Sequence, residues 1–384
     1  MASQARPSSL SVCARASDRD REPRLTRLPT NAAKPPLPKQ ESLNPMTYFK
    51  KISASFAAAV VAAALPLTCF AADKVVMAVG GLEKQIYLPA KLTEQLGFFK
   101  EQGLEVELIN TRAGVEAENE LIAGEVQAVV GFYDHTIDIQ SKGKAIISIV
   151  QLSRAPGEVE LVSAKLAGEI KSPADFKGRT LGITGVGSST DFLTQALAAK
   201  AGLKAGDYST IGVGAGNTFI AALKQAKIDA GMTTEPTISQ LLSTGEAKVL
   251  VDMRSMESTQ AALGGPYPAA SLYVSSAWLD KNRPLAQKLA TAMVKTMKWM
   301  AAHTAAEIAD KMPKEYMVGN RDLYVSGLAE GKSQFTVDGR MPANGPETVL
   351  KVMSSFSKNV MGKNIDLSKT YTTELVDVAL KTLK

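Results

Sequence analysis

The stretch 182–203 constrains the fold of this 384-residue chain more strongly than any other. A short apolar run at 180–183, which includes Leu181 and Ile183, overlaps the start of this stretch and is typical of a buried strand. A loop with three glycines follows, and apolar residues then recur at helical spacing from 192 to 201. Gly202 stands just past that helix, where a left-handed cap is favoured. The stretch therefore predicts a strand, a glycine loop and a helix, the repeating unit of α/β folds.

This glycine loop is also a candidate ligand site. Glycine permits a tight turn with exposed N–H groups, and a helix N-terminus attracts anions through its dipole. Ser188 and Asp191 have the spacing of a capping box. The loop is neither a P-loop nor a dinucleotide fingerprint, because no lysine follows Gly187 and the glycines are spaced G-x-x-G-x-G. The residues alone leave an anion site and an ordinary strand-to-helix turn both open.

The chain from 74 to 150 alternates short apolar strands with amphipathic helices. This order predicts a parallel sheet with helices on both faces. Residues 121–128 resemble 223–230, and each segment reads as a helix end, a tight turn and a strand start. The resemblance between the two segments indicates two lobes of similar build. After Trp278 the pattern is mainly helical, with an apolar stripe that is typical of core packing.

The first part of the chain differs in composition from the remainder. Residues 1–45 are rich in Pro, Ser, Arg and Ala and lack the apolar residues that a folded core needs. Residues 46–71 have two lysines, an apolar run and small residues at a cleavage position, the order of a secretory signal. We expect 1–45 to be a disordered extension or an upstream misreading of the gene, with Met46 as the true start. The mature secreted protein is then expected to begin near Ala72.

Removal of the first 71 residues changes the charge and the cysteine content. Of 44 basic and 38 acidic residues, 10 and 4 lie in 1–71, so 72–384 carry 34 of each. No net basic charge then remains to favour nucleic acid. Both cysteines, Cys13 and Cys69, are lost as well, which excludes a disulfide and thiol catalysis. With two histidines in the chain, we expect no catalytic triad, no metal site and no cofactor.

Three motifs resemble those of bacterial solute-binding proteins for nitrate, sulfonate, taurine and thiamine-pyrimidine uptake. Residues 96–108 read LGFFKEQGLEVEL and resemble the GFF-x-x-x-GL-x-V stretch of that family. Residues 170–179 read IKSPADFKGR and are similar to its IKS-x-x-DLKGK segment. Residues 221–236 resemble AL-x-x-G-x-DA…EP, with Ala226 where the family usually has glycine. The order and spacing of the motifs extend the resemblance over nearly all of 72–384.

The resemblance implies a type II periplasmic binding protein with an α/β fold. Each of its two lobes would be a mostly parallel sheet flanked by helices, and two crossover strands would join the lobes. The first lobe would comprise 72–170 and 268–384, and the second 171–267, with crossings near 165–175 and 265–275. The implied protein is a monomer without enzymatic activity that closes on a small solute, such as an organic anion. It would deliver this solute to the permease and ATPase subunits of an ABC importer in the inner membrane.

Two sets of residues are expected at the cleft between the lobes, where open α/β sheets bind ligands. The candidates are Gly81, Leu82, Tyr87, Tyr133 and Asp134 in the first lobe, and Gly187, Ser188, Ser189, Thr190 and Glu235 in the second. We expect the loop 187–190 to hold the polar or anionic end of the solute and the tyrosines with Leu82 to form the opposing wall. Asp134 and Glu235 would repel a bare anion. They therefore either point away or meet hydrogen-bond donors of the ligand, such as an amine or aminopyrimidine.

Two other functions stay open at this point. The pyrimidine synthases of thiamine biosynthesis share the implied fold, but they resemble cytosolic proteins with clustered cysteines and an active-site lysine and histidine. A secreted, cysteine-free chain argues against such an enzyme. A sensor subunit that presents its ligand to a receptor would have the same fold, and a neighbouring permease and ATPase gene would favour transport instead. The sequence does not identify the solute.

Overall fold

The computed structural model describes residues 72–317 and 320–383. The sequence predictions for the extension 1–45, the signal peptide 46–71 and the start at Met46 therefore lie outside the described residues. The described part of the chain forms two five-stranded sheets with helices packed against them. Within it, no helix combines the length and the apolar character that crossing a bilayer requires.

Ten strands and fourteen α-helices lie in the described residues. The strands are β1 (Asp73–Val79), β2 (Leu104–Asn110), β3 (Ala128–Phe132), β4 (Ile146–Gln151), β5 (Glu158–Ser163), β6 (Thr180–Ile183), β7 (Ser209–Gly212), β8 (Ala230–Thr234), β9 (Ala247–Asp252) and β10 (Ala270–Ser275). The helices are α1 (Leu88–Gln95), α2 (Phe98–Glu101), α3 (Gly114–Ala123), α4 (Asp134–Ser141), α5 (Ser189–Lys200), α6 (Asn217–Lys224), α7 (Thr237–Ser243), α8 (Met256–Leu263), α9 (Ser276–Lys281), α10 (Arg283–Ala302), α11 (Ala305–Ala309), α12 (Arg321–Gly331), α13 (Gly345–Met353) and α14 (Glu374–Thr382).

The two sheets share one topology. The first has the strand order β2-β1-β3-β10-β4, in which β1 is parallel to β2 and β3, and β10 is antiparallel to β3 and β4. The second has the order β7-β6-β8-β5-β9, in which β6 is parallel to β7 and β8, and β5 is antiparallel to β8 and β9. The predicted two-lobe α/β fold is confirmed, with mixed sheets. The antiparallel strand of each sheet enters from the other lobe.

The internal repeat of the sequence corresponds to this repeat of topology. Residues 121–128 contain the end of α3 and the start of β3, and 223–230 contain the end of α6 and the start of β8. Both strands occupy the third position of their sheets, and a helix begins within three residues of each strand end. The carboxyl ends of such strands are the usual ligand-binding edge of an α/β sheet. The repeat therefore marks one edge of each lobe.

The first crossing between the sheets lies earlier in the chain than the sequence pattern suggested. Strand β5 is buried along its whole length and pairs in the second sheet, so the chain enters that sheet at Glu158, before the expected boundary at 170. The family-like motif at 170–179 instead connects β5 to β6 and contains a 3-10 helix capped by Ser172 and Asp175. The chain returns through 253–269, which include α8.

The apolar stripe predicted after Trp278 packs in the core of the first lobe. Leu289, Met293 and Met297 of α10 are fully buried, and α10 contacts β4, α1, α2 and α14. Each such side chain contributes about 1.5–3 kcal/mol to folding through burial. Helix α12, from the same C-terminal region, contacts α7 of the second lobe. The C-terminal segment therefore touches both lobes.

Candidate ligand site between the lobes

The glycine loop lies between β6 and α5 and faces the first lobe. A Cβ added at Gly185 would be 3.0 Å from the Cβ of Ala113, and one added at Gly187 would be 3.6 Å from a Val115 methyl. Gly187 has a φ of 82°, a left-handed conformation that favours glycine. Elsewhere across the cleft, the backbone amide of Gln85 donates to the backbone carbonyl oxygen of Glu235 at 3.0 Å. The described conformation is thus one in which the lobes touch.

The polar groups of this loop bond mainly to one another. The hydroxyls of Thr184, Ser188 and Thr190 lie 2.8–3.0 Å apart. Asp191 accepts from the Gly187 amide at 2.8 Å. Ser188 is the N-cap of α5, but its side chain does not accept from the helix, so the capping box suggested by the spacing does not form. A carboxylate of the chain itself therefore already stands at the positive end of this helix.

A second carboxyl group, that of Glu158, meets the loop from β5. The Ser189 hydroxyl donates to Glu158 Oε1 at 3.0 Å, and the glutamate is 1% exposed. Burial raises the pKa of Glu158 well above its usual range, and the nearby Asp134 carboxyl raises it further. The Lys84 ammonium acts in the opposite direction. The position predicted to receive an anion thus adjoins a buried acid.

Asp134 approaches Glu158 from the first lobe. It is the first residue of α4, directly beyond the end of β3, and its side chain is fully buried. Its Oδ2 accepts from the hydroxyl of Tyr267 at 3.0 Å, and Tyr267 belongs to the second crossing segment. Burial raises the pKa of Asp134 to about 7, although the Tyr267 hydrogen bond lowers it in part. Asp134 and Glu158, which we call the acid pair, therefore come from opposite lobes.

Each member of the acid pair keeps one oxygen without a hydrogen-bond partner. Within the described residues, neither Asp134 Oδ1 nor Glu158 Oε2 meets a donor. The same is true of His135 Nε2, which lies 3.9 Å from Asp134 Oδ1. Leaving a buried polar group unpaired typically costs about 1–3 kcal/mol. Three of the unpaired buried atoms of the described residues therefore lie where the two lobes meet.

His135 is held by neutral groups of the first lobe. Its Nδ1 lies 3.2 Å from Glu118 Oε2 and 3.3 Å from the Tyr273 hydroxyl. Burial lowers the pKa of His135 to about 4 and raises that of Glu118 to about 8. At neutral pH the imidazole is therefore uncharged. A protonated Glu118 can donate to Nδ1, an assignment inferred from these pKa directions, and the ring proton then resides on Nε2.

Lys84 is a buried cation beside this group. Its ammonium donates to the carbonyl oxygens of Gly80 and Arg112, and its side chain is folded over Gly81. A Cβ at Gly81 would come within 2.6 Å of the lysine chain, and its φ of 126° also favours glycine. Burial lowers the pKa of Lys84, while nearby acids including Glu158 oppose that shift. Gly81 is thus needed to seat this lysine.

A cavity of about 310 Å³ adjoins Lys84. Its walls come from both lobes and comprise Glu83, Lys84, Ala215, Gly216, Asn217, Thr218, Pro236, Thr237 and Gln240. This volume lies at the lower end of the range for small-molecule sites. The loop between β7 and α6 therefore contributes to a wall of the interlobe space.

Two predicted site residues of the first lobe have other contacts. The hydroxyl of Tyr133 bonds to that of Thr370, and its ring meets Tyr371 edge-on at 6.3 Å. Tyr133 thus packs inside the first lobe and does not form the predicted aromatic wall. Leu82 is half-buried on the main core, and its amide donates to Asn110 at 2.8 Å.

Glu235 of the second lobe has its carboxylate occupied by protein donors. Its Oε1 accepts from Arg254 at 3.0 Å and its Oε2 from the Ser239 amide at 3.1 Å. The same guanidinium also contacts Asp252 and Glu330, which joins the second crossing to α12. These bonds favour a structural role for Glu235.

The structure brings Tyr87, Asp134 and Ser189 together among the predicted residues. Tyr87 packs edge-on against Phe132 at 6.0 Å, and burial with both acids raises its pKa. The sequence reading missed Glu158, Lys84, His135 and Tyr267 as site residues. A signal existed for the first of these, because two glutamates alternate with apolar residues at the start of β5.

The NMT1/THI5-like family model matches residues 87–307, more than half of the chain. The solved structure of a protein from Bordetella bronchiseptica RB50 is 36% identical, with a TM-score of 0.78, over 81% of this chain and 98% of that one. The alkanesulfonate-binding protein SsuA from Xanthomonas axonopodis pv. citri, bound to MOPS, is 16% identical, with a TM-score of 0.62, over 78% and 98% of the two chains.

The periplasmic nitrate-binding protein NrtA from Synechocystis PCC 6803 is 13% identical, with a TM-score of 0.64, over 81% and 89% of the two chains. At such identities these last two similarities show the fold alone. No curated protein matches the chain by sequence. The family match and the 36% identity go further than the fold. The chain belongs to the NMT1/THI5-like family and has the two-lobe fold of the periplasmic binding proteins.

Proposed function

We propose that the protein is an extracytoplasmic, monomeric solute-binding protein that closes on a small solute and delivers it to an ABC importer. The observation that carries the proposal is the acid pair. Asp134 and Glu158 come from opposite lobes, both are buried, and each retains an unpaired carboxyl oxygen. Closure without a solute leaves these oxygens unsatisfied, at a typical cost of about 1–3 kcal/mol each. A bound solute that pairs with them would favour the closed form.

Two structural relatives that are named as binding proteins support binding rather than catalysis. SsuA and NrtA are named for binding alkanesulfonate and nitrate. DszB, solved with biphenyl-2-sulfinic acid, is an enzyme that shares the fold at 15% identity and a TM-score of 0.54. The cysteine-free sequence from 72 onward and the neutral, buried His135 give little material for nucleophilic catalysis.

Export to the periplasm is part of the same proposal. The order of basic, apolar and small residues in 46–71 supports a cleaved signal, with Ala72 as the first mature residue. The intact mass of the protein recovered from the periplasm tests this directly. A mass that includes residues 1–45 would contradict the proposed start at Met46.

A solute screen followed by scattering tests the binding role. A solute at about 100 times its dissociation constant should stabilise the protein by about 2.7 kcal/mol, and small-angle scattering should show compaction. Asp134→Asn should weaken binding by at least tenfold. Glu160→Gln is the matched control, because Glu160 is equally buried in β5 but bonds to Thr194 within the second lobe. An unchanged radius of gyration at saturation would contradict closure on a solute, whereas equal affinity of both variants would contradict only the placement of the solute at the acid pair.

A further inference from the structure

We infer that the head group held by the acid pair is a positively charged nitrogen group with N–H donors, such as an ammonium or amidinium. This inference rests on the proposed binding function and names the solute class of the same site. The unpaired Asp134 Oδ1 and Glu158 Oε2 belong to neighbouring carboxyl groups of opposite lobes, and both atoms are hydrogen-bond acceptors when ionised. A group with at least two N–H donors can satisfy both oxygens at once.

The side-chain donors of the glycine loop are already used within the protein. In the glycine loop, the Gly187 amide donates to Asp191 and the Ser189 hydroxyl donates to Glu158. The hydroxyls of Ser188 and Thr190 bond to Thr184. A sulfonate or nitrate placed here would adjoin the carboxyl groups of Asp191 and Glu158. The glycine loop, which the sequence predicted to bind an anion, therefore donates its hydrogen bonds to carboxyl groups of the protein itself.

The summed charge of Asp134, Glu158 and Lys84 also favours a cationic head group. Asp134 and Glu158 stand against one buried cation near them, Lys84, because His135 is neutral. When both acids and the lysine are ionised, one negative charge remains uncompensated. Buried charges are stable in proteins when they are paired. A monocationic head group would neutralise this remainder, whereas an anion would add to it.

Other titratable groups pack around the acid pair. From the first lobe these groups are Lys84 and Tyr87 before α1, Glu118 on α3, His135 and Asp138 on α4 with Lys142 paired to Asp138, and Tyr273 on β10. From the second lobe and the second crossing they are Glu160 on β5 and Tyr267. Burial raises the pKa of Glu118 and Glu160 to about 8, so both are protonated at neutral pH. Asp138 and Lys142 form an ion pair, so their two charges cancel.

Proton linkage follows from this arrangement. Without a ligand, burial raises the pKa of Asp134 to about 7 and raises that of Glu158 well above its usual range, so the pair binds more protons near pH 7 than solvent-exposed carboxyl groups do. A cation favours the ionised acids, so its binding releases protons and tightens as the pH rises through 7. An anion favours the protonated acids, so its binding would take up protons and weaken as the pH rises.

Cations and anions that share a phenyl or a butyl group test the inference with the mature protein. Benzamidinium and butylammonium are compared with benzenesulfonate, butanesulfonate and nitrate by thermal shift and calorimetry. We expect the cations to stabilise the protein and to release protons near pH 7, as measured in two buffers of different ionisation enthalpy. Glu158→Gln should weaken cation binding by at least tenfold, while the control Glu160→Gln should not. If Glu158→Gln fails to fold, Asp134→Asn makes the same test from the other lobe.

The outcomes separate this inference from the proposed function. Tighter binding of the sulfonates or nitrate, accompanied by compaction in scattering, would overturn the inference and leave the binding role intact. If neither benzamidinium nor butylammonium stabilises the protein at the highest concentration tested, the inference is also contradicted. Failure of cations, anions and a wider solute library alike to compact the protein would overturn both.

Discussion

Gly185→Ala tests whether the lobes close on a ligand as the structure describes them. A Cβ at Gly185 would lie 3.0 Å from the Cβ of Ala113 in the opposite lobe, whereas carbon atoms in contact prefer about 3.5–4.0 Å. Ala113 is fully buried at the start of α3, so it has little room to retreat. Gly185 does not have a positive φ, so alanine suits the backbone of the separated lobes.

The clash should therefore oppose closure and leave the open form unchanged. Overpacking typically costs about 1–3 kcal/mol. Because closure and binding are coupled, we expect the affinity for the solute to fall roughly 5- to 140-fold, since about 1.4 kcal/mol corresponds to tenfold. Calorimetry measures this loss, and thermal denaturation of the ligand-free variant should match that of the original protein.

Two companion variants sharpen the test. Gly212→Ala is the control, because its Cβ would meet its nearest atom, the Gly185 Cα, at an ordinary 3.5 Å. Ala113→Gly removes the opposing methyl, so adding it to Gly185→Ala should restore most of the affinity. Binding by Gly185→Ala with unchanged affinity and full compaction would refute the reasoning, because the lobes would then not approach each other at this contact.

Three further predictions concern stability and the site. Arg254→Met should destabilise the protein by about 3–5 kcal/mol in urea denaturation, because it leaves the buried Glu235 carboxylate without its charge partner. Glu160→Gln should flatten the fall in stability between about pH 4.5 and 8, because burial raises the pKa of Glu160 from 4.5 to about 8 and the native state in this range binds more protons than the unfolded state. Ser189→Ala should weaken solute binding severalfold and raise the pKa of Glu158 further, because it removes a hydroxyl that donates to this carboxyl group.

The alternation of strands and helices was predictable because its signals are local. The strand, glycine loop and helix around 182–203 form as the spacing predicts, and the apolar stripe of α10 packs in the core. The start of β5 escaped notice because Glu158 and Glu160 interrupt its apolar run. Both glutamates are buried against side chains of α5 that lie 31 and 34 residues away. A local pattern carries no information about partners at that distance.

The site residues were predictable in position but not in orientation. Tyr133 and Glu235 follow equivalent strands of the two sheets, as the sequence repeat suggested. Their side chains are directed by distant partners: Thr370, 237 residues from Tyr133, and Arg254 in the second crossing. The position after a strand end brings a residue to the ligand-binding edge, but tertiary contacts decide whether its side chain faces the cleft.

The charge of the site illustrates why a glycine loop alone does not define a ligand. The N-terminus of α5 carries the positive end of a helix dipole, which by itself favours an anion. Asp191 within the helix and Glu158 from β5 already supply negative charge to that end. Strand β5 reaches this position because it is the strand that crosses from the first lobe into the second. The same crossing that joins the lobes thus places a carboxyl group beside the loop, and the head group has to complement that acid and Asp134.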